Sequence, residues 1–546
     1  MFKRVSALVA AALMAACVSA PEYQPPTVVV APAFRAVADS DSRYVVGTPA
    51  DDTSTPPAIA SADAEVGTSA AASDSDASTD SPAVSAMRTP AVPGDDSRTS
   101  PSYSSGSVRS GLPSDRDEEQ VSSQEPGTRF WRELGDSTLT LLVSEALDGS
   151  PDVHVARARL RSARAARRLS TFDFAPTVTA RAGFTRQQLA GAQFPGTSSQ
   201  LPRQDLWDGG FDAAWELDIF GRISHTVRAG GALASSAQED VHDTQLSLAA
   251  EVARTYFELR GAQNELAVAL RNAENQRRTV ALTEERLAAG RGTAFDTERA
   301  KAELSLTLAG TPVIEARIAA SQYRLATLLG RSPEALPRAI LTSAELPELP
   351  NVVSVGSPAE LVRRRPDVLS AERQLAAETM FVGAARAEYL PRLSIGASVG
   401  YTSTAFDALG NTGTSRFLVG PVLSWPFLDL GRVKTRVDEA RAHADEARAH
   451  YTSAVLGAIE EAETSIVAYE RARDRLSSLA EAARSSAHAT ELAQLRFQEG
   501  ATDFLQVLDA QRTLLSAESQ LAIGRTAAAT ALVALYKAVG GAMPIR

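Results

Sequence analysis

Two unbroken helical stretches, each about 68 residues long, constrain this chain more than anything else in it. The first opens with WELDIFGR (215–222) and closes in RLAAGRGTAFD (286–296). The second opens with WPFLDLGR (425–432) and closes in RFQEGATDF (496–504). Gly221 answers to Gly431 and Gly290 to Gly500, both at a spacing of 210. At the rise of an α-helix each stretch is a rod of roughly 100 Å, several times the usual length of a globular helix. The remaining residues must start, pair with and close these rods.

A second spacing shows that the rods belong to a duplicated unit. Pro151 and Pro366 are 215 apart, as are Pro176 and Pro391. The repeats run over roughly 137–330 and 355–540, which divides the body into a first half, 129–345, and a second half, 346–546. So long a repeat is not a solenoid period; it implies two copies of one unit about a pseudo-symmetry axis. Short helices at 137–170 and 294–311 are expected to stack end to end beside the first rod, and those at 357–387 and 503–535 beside the second. Pro312 is expected to break the first returning helix, leaving 313–330 as a separate one. Small residues lie on more than one face of the second rod (Ala440, Ala444, Ala447, Ala458, Ala462). A helix flanked on both sides, as in a closed wall of helices, needs two such stripes.

Each unit carries two strand candidates ahead of its rod. Apolar residues alternate along 177–185 (Val178, Ala180, Ala182, Phe184) and 209–218 (Phe211, Ala213, Trp215, Leu217). They alternate again along 393–401 (Leu393, Ile395, Ala397, Val399, Tyr401) and 417–425 (Phe417, Val419, Leu423, Trp425). Period two over about nine residues suits a membrane-spanning strand, although a soluble amphipathic hairpin reads the same way. Four strands cannot close a barrel, for which about eight are the practical minimum. Three chains would supply twelve.

The net charge of −11 argues against a nucleic-acid partner, and it is local. Residues 39–128 hold 16 acidic and 5 basic side chains, leaving 50 of each sign elsewhere. That segment is rich in Ser, Asp, Thr, Pro and Ala without sustained apolar period, so it is expected to be a disordered acidic linker. The N-terminus reads as a signal peptide, 1–16: Lys3 and Arg4 precede the apolar run 5–16, too short to span a bilayer. Cys17 is the one cysteine, so neither an internal disulfide nor a cysteine-based zinc site is available. LMAAC (13–17) resembles the lipobox of bacterial lipoproteins, with Met14 where Leu is usual. The resemblance implies a lipidated segment, 17–38, carrying S-diacylglycerol and N-palmitoyl groups on Cys17. Val18 in place of Asp is similar to the outer-membrane sorting pattern.

With these features in hand, the chain resembles the TolC-like outer-membrane efflux family, in the lipoprotein branch serving resistance-nodulation-division pumps. The residues that carry the resemblance are WELDIFGR (215–222), TYFELRGAQ (255–263), PDV (151–153 and 366–368), EYLPRLS (388–394) and FLQVLDAQRTLLSAE (504–518), with EYQPP (22–26) after the cysteine. The family implies a mostly α fold with a small β part. Three chains would form a twelve-stranded barrel in the outer membrane, continued by a helical tunnel across the periplasm. It implies partners as well: a periplasmic adaptor, an inner-membrane pump and outer-membrane lipid. The acidic segment 39–128 departs from the family, whose members have a short linker there.

Nothing in this reading calls for an enzyme or a cofactor beyond the lipid. Function is expected at the narrow end. Leu505, Asp509 and Arg512 lie at i, i+4 and i+7, on one helical face, and the matching family positions form the closed periplasmic entrance. A threefold ring of Asp509 would tune cation passage, and pairing with Arg512 could hold the aperture shut. The first repeat has Phe295, Arg299 and Ala302 there. The glycine turns (Gly290, Gly292, Gly500, Ala501, Thr502) are expected to meet the adaptor's helical hairpin. Gly396–Gly400 spells G-x-S-x-G, but the alternation runs through it without the strand–turn–helix a nucleophile elbow requires, so Ser398 is an inward-facing strand residue. His443 and His450 lack a ligand set of recognisable spacing. Two other readings stay open: a duct for type I protein secretion or metal export, and a periplasmic coiled-coil lipoprotein without a pore.

Overall fold

The computed structural model describes residues 31, 33–35, 44–45, 130–189, 202–344, 346–347, 349 and 353–541. The signal peptide, Cys17 and nearly all of the acidic segment lie outside the described residues.

In chain order the elements are β1 (Tyr44–Val45), α1 (Phe130–Glu133), α2 (Ser137–Gly149), α3 (Pro151–Thr171), β2 (Thr177–Gln187), β3 (Gln204–Leu217), α4 (Arg222–Ala288), α5 (Ala294–Leu328), α6 (Arg338–Leu341) and β4 (Val353–Ser354). The second repeat follows with α7 (Pro358–Arg364), α8 (Pro366–Ala387), β5 (Arg392–Ser403), β6 (Ser415–Ser424), α9 (Leu430–Gln498) and α10 (Phe504–Ala538). The rods α4 and α9 are single helices of 67 and 69 residues, with no proline inside either. Each repeat runs two strands and a rod, in the expected order.

The turn motif explains where α4 begins. Gly221 adopts φ 79°, a left-handed conformation that other residues enter at a cost. The Asp218 carboxylate accepts the N–H groups of Ile223 (2.9 Å) and Ser224 (2.8 Å), which have no partner inside the helix. Glu216 and Arg222 clamp the turn with two parallel hydrogen bonds of 2.9 Å. WELDIFGR is therefore a strand-to-helix corner in which Glu216, Asp218, Gly221 and Arg222 each have a mechanical task.

Two expectations need correction. Pro312 does not break the returning helix: α5 continues through it to Leu328. Proline leaves the Leu308 carbonyl without its usual donor, and the Thr311 hydroxyl supplies one at 2.8 Å. The stretches 137–170 and 357–387 each hold two helices, the later one starting at the Pro-Asp pair, Pro151 or Pro366, where the sequence suits a helix start. They are cut there because the preceding residues, Ser150 (ψ 130°) and Arg365 (ψ 122°), are driven out of the helical region. Second, the acidic segment is not without structure throughout, since Tyr44–Val45 pairs in parallel with Val353–Ser354 through backbone hydrogen bonds.

The end-to-end junctions exist, and both use whole returning helices. The end of α5 meets the start of α3 so closely that a Cβ on Gly330 would lie 2.4 Å from the Gly149 carbonyl oxygen. The end of α10 meets the start of α8, where Arg365 Nη1 donates to the Ala538 carbonyl at 2.9 Å. Around these junctions lies the main core. Phe130 stacks on Tyr536 (5.1 Å) and meets Trp131 edge-on (5.4 Å). Phe34, far away in sequence, is buried in the same cluster, and the Arg35 N–H donates to Glu463. Arg260, 2% exposed, lies over the Tyr256 ring and donates to the carbonyls of Thr342 and Ala339.

Candidate functional site

The strands form one antiparallel sheet in the order β2-β3-β5-β6. The helices that continue them keep that order: α3 packs on α4, α4 on α8, and α8 on α9. Sheet and helices are thus one strip of wall. The register puts Thr179, Asp212, Ser398 and Leu418 side by side, and Ala180, Phe211, Val399 and Phe417 side by side on the other face. One face is therefore largely polar and the other carries most of the aromatic and branched residues; Leu206, Leu418 and Val422 fall on the polar side, and Arg186 and Asp205 on the other.

The polar face holds a cluster that sequence reading missed. Arg416 makes two hydrogen bonds with Asp208 (3.0 and 2.9 Å) and one with Ser398 (2.7 Å), and Thr402 donates to Asp208 at 2.8 Å. Arg181 lies 3.7 Å from Asp212 on the same face. Ser398 is a strand residue, as expected, but its hydroxyl receives an arginine. The alternation marked this face as polar; nothing in it said that residues 208 and 416 would meet.

Both ends of the strip are unpaired. Edge strands β2 and β6 have 11 and 10 residues and one neighbour each. Tryptophans mark the end of the sheet nearest the helices: Trp215 donates its indole N–H to the Phe174 carbonyl (2.8 Å) and Trp425 to that of Tyr389 (3.0 Å). Among the described residues no helix is long and apolar enough to cross a membrane; the apolar face of the sheet is a separate matter.

At the opposite end the rods reverse. Gly290 (φ 71°) and Gly500 (φ 72°) close the two helices, with Arg291 N–H bonding the Arg286 carbonyl and Ala501 N–H that of Arg496, both 2.8 Å. Thr293 and Asp503 then cap the returning helices. Gly292 is not left-handed; a Cβ there would lie 3.1 Å from Leu287 N. The Thr502 hydroxyl is buried without a partner. Behind the tips Phe497, Phe504, Val507, Leu508 and Ala300 form a small core, with Arg286 4.0 Å over the Phe497 ring.

The structure brings Leu505, Asp509 and Arg512 together on the exposed face of α10. Leu505 is 45% exposed, and Asp509 and Arg512 are exposed. Among the described residues no ion pair joins Asp509 to Arg512. Phe295, Arg299 and Ala302 are exposed at the equivalent level of α5. Among the described residues no group of three or more His, Cys, Asp or Glu could hold a metal ion; His443 and His450 sit exposed on either side of Glu446.

A chain whose sheet has two open edges and one apolar face, and whose rods are this long, is matched by one family profile, "Outer membrane efflux protein", over residues 142–331 and 358–541. The chain belongs to the outer membrane efflux protein family. It is 31% identical to the outer membrane protein OprJ of Pseudomonas aeruginosa over 76% of this chain and 86% of that one. It is 30% identical to the solvent efflux pump outer membrane protein SrpC of Pseudomonas putida, over 74% and 86%. Among solved structures it resembles the outer-membrane channel OprN, with a TM-score of 0.71 and 39% identity over 77% of this chain and 95% of that one. As an outer-membrane efflux protein, the chain is a channel component and not an enzyme. Family membership excludes the rod-like lipoprotein without a pore.

Proposed function

We propose that three copies of this chain close edge to edge into a twelve-stranded barrel continued by a helical tunnel, which is the outer-membrane duct of a tripartite pump exporting small molecules. The carrying observation is the open strip. Strands β2 and β6 end it in the membrane, where an unsatisfied backbone group costs several kcal/mol, and α3 and α9 end it below. Pairing β6 of one chain with β2 of the next satisfies both edges at once. A periplasmic adaptor and an inner-membrane pump complete the path, the adaptor meeting the turns at Gly290, Gly292, Gly500, Ala501 and Thr502. Leu505, Asp509 and Arg512 ring the narrow entrance, and the side chains of Asp509 and Arg512, which form no ion pair with each other among the described residues, find partners across the threefold axis.

Cys17 anchors the chain by its acyl groups. Phe34 is fixed in the core cluster that also holds Val153, in the first turn of α3, and α3 is 21 residues long, about 32 Å. The 17 residues from Cys17 to Phe34 can span about 56 Å, enough to reach the membrane. The test is single-channel recording in planar bilayers together with drug susceptibility of a deletion strain. Stable conductance and increased susceptibility support the duct; a purified sample that passes no ions contradicts it.

A further inference from the structure

The charge on α3 is out of line with the rest of the wall. Its residues include Arg157, Arg159, Arg161, Arg164, Arg167 and Arg168 against one carboxylate, Asp152. Its counterpart α8 has Glu372, Ala376, Thr379 and Gly383 at the places of Arg157, Arg161, Arg164 and Arg168. Those four arginines are spaced i, i+4, i+7 and i+11, a single stripe along the helix. The buried face of α3 lies beside the stripe. Val153, Ala156 and Leu160 are the buried residues of α3, and the latter two join Val241 of α4. Val155, Ala158, Ser162, Ala165 and Leu169, on the opposite side, suit the seam with the next chain. Among the described residues no ion pair reaches Arg157, Arg161 or Arg164.

Three contacts fix which side of the wall the stripe occupies. Arg164 Nη2 donates to Gln238 Oε1 at 3.2 Å, one turn from His242 on α4. Steps of seven from His242 lead down the same face through Ala249 to Tyr256 and Gln263. Tyr256 donates to Asp136 at the start of α2, and Gln263 to the Ile340 carbonyl in α6. Those elements cover that side of the wall, which leaves the other side to the duct. The stripe therefore faces outward.

Its upper end is also where the wall enters the membrane. Phe172, 71% exposed, and Phe174 follow α3 directly, beside Trp215. Measured along the helix, Arg168 lies about 6 Å below Phe172, Arg164 about 12 Å and Arg161 about 16 Å. An extended arginine side chain shortens each gap by several ångströms, and a headgroup layer adds about 5–7 Å. Guanidinium groups bind phosphate through paired N–H donors.

Building on the barrel-and-duct reading, we propose that Arg161, Arg164 and Arg168 form a binding face for the phosphates of anionic phospholipids in the periplasm-facing leaflet, on the outer side of the wall just below the barrel. The test is native mass spectrometry of the intact complex released from membranes of phosphatidylglycerol and phosphatidylethanolamine, with bilayer conductance of the same samples. The wild type should retain phosphatidylglycerol preferentially, and R161Q/R164Q/R168Q should lose most of it while still conducting. R277Q/R278Q, exposed lower on α4, should retain it fully. If the triple variant assembles poorly, R161Q and R164Q singly should each lower retention. Undiminished phosphatidylglycerol on a conducting triple variant overturns the inference and leaves the duct standing. A changed anion-to-cation permeability with lipid retained overturns it too, since the arginines would then line the duct. A wild type that does not conduct removes the duct and the inference with it.

Discussion

Gly261 is the residue at which the wall is tightest. A Cβ there would fall 1.9 Å from Thr526 Oγ1, where α4 crosses α10. Gly261→Ala should destabilise the chain by about 1–3 kcal/mol, read as a lower denaturation midpoint. Gly310→Ala, on α5 with nothing within 4 Å, should be neutral or gain up to about 1 kcal/mol. Tyr256 carries a pH prediction. Burial, and then donation to Asp136, push its phenol from 10.0 up to about 12. Because the folded value lies above the unfolded one, this stability is whole below pH 10 and drains away as pH climbs towards 12. Tyr256→Phe should remove that part of the alkaline sensitivity in melts taken between pH 9 and 12. At the entrance, Asp509→Ala with Arg512→Ala should raise single-channel conductance severalfold; unchanged conductance would remove these residues from the gate.

At the scale of elements, the rods, the strands and the corners joining them were legible because each is written locally. A helix of 67 residues needs only good helix formers and no proline, and a half-covered strand needs only alternation. What failed was also local in appearance. Pro312 reads as a break, but the remedy is a hydroxyl one residue earlier, so the sequence held both the obstacle and its answer. Thr311→Val should cost about 1 kcal/mol and fray α5 near Leu308, visible as faster amide exchange there. The pairing of Tyr44–Val45 with Val353–Ser354 and the burial of Phe34 could not be read, because segments distant in sequence carry no local mark of meeting. The Asp208–Arg416 contact was hidden for the same reason. Leu505, Asp509 and Arg512 could be put on one helical face from spacing alone, whereas their exposure needed the position of the Phe497–Phe504 core behind them.

For the whole molecule, the duplicated unit gives a strip that its own residues do not close. Four strands leave two edges, and the helices below leave two more. Exposed apolar residues along the outer strands and lower rods, such as Phe417, Val419, Leu492 and Leu495, are reasonable only if lipid and neighbouring chains cover them. The mass of the purified, detergent-solubilised particle tests this most directly. Native mass spectrometry should give a single species holding three chains, stable in mild detergent, with no folded single chain. A folded particle holding one chain would contradict the account.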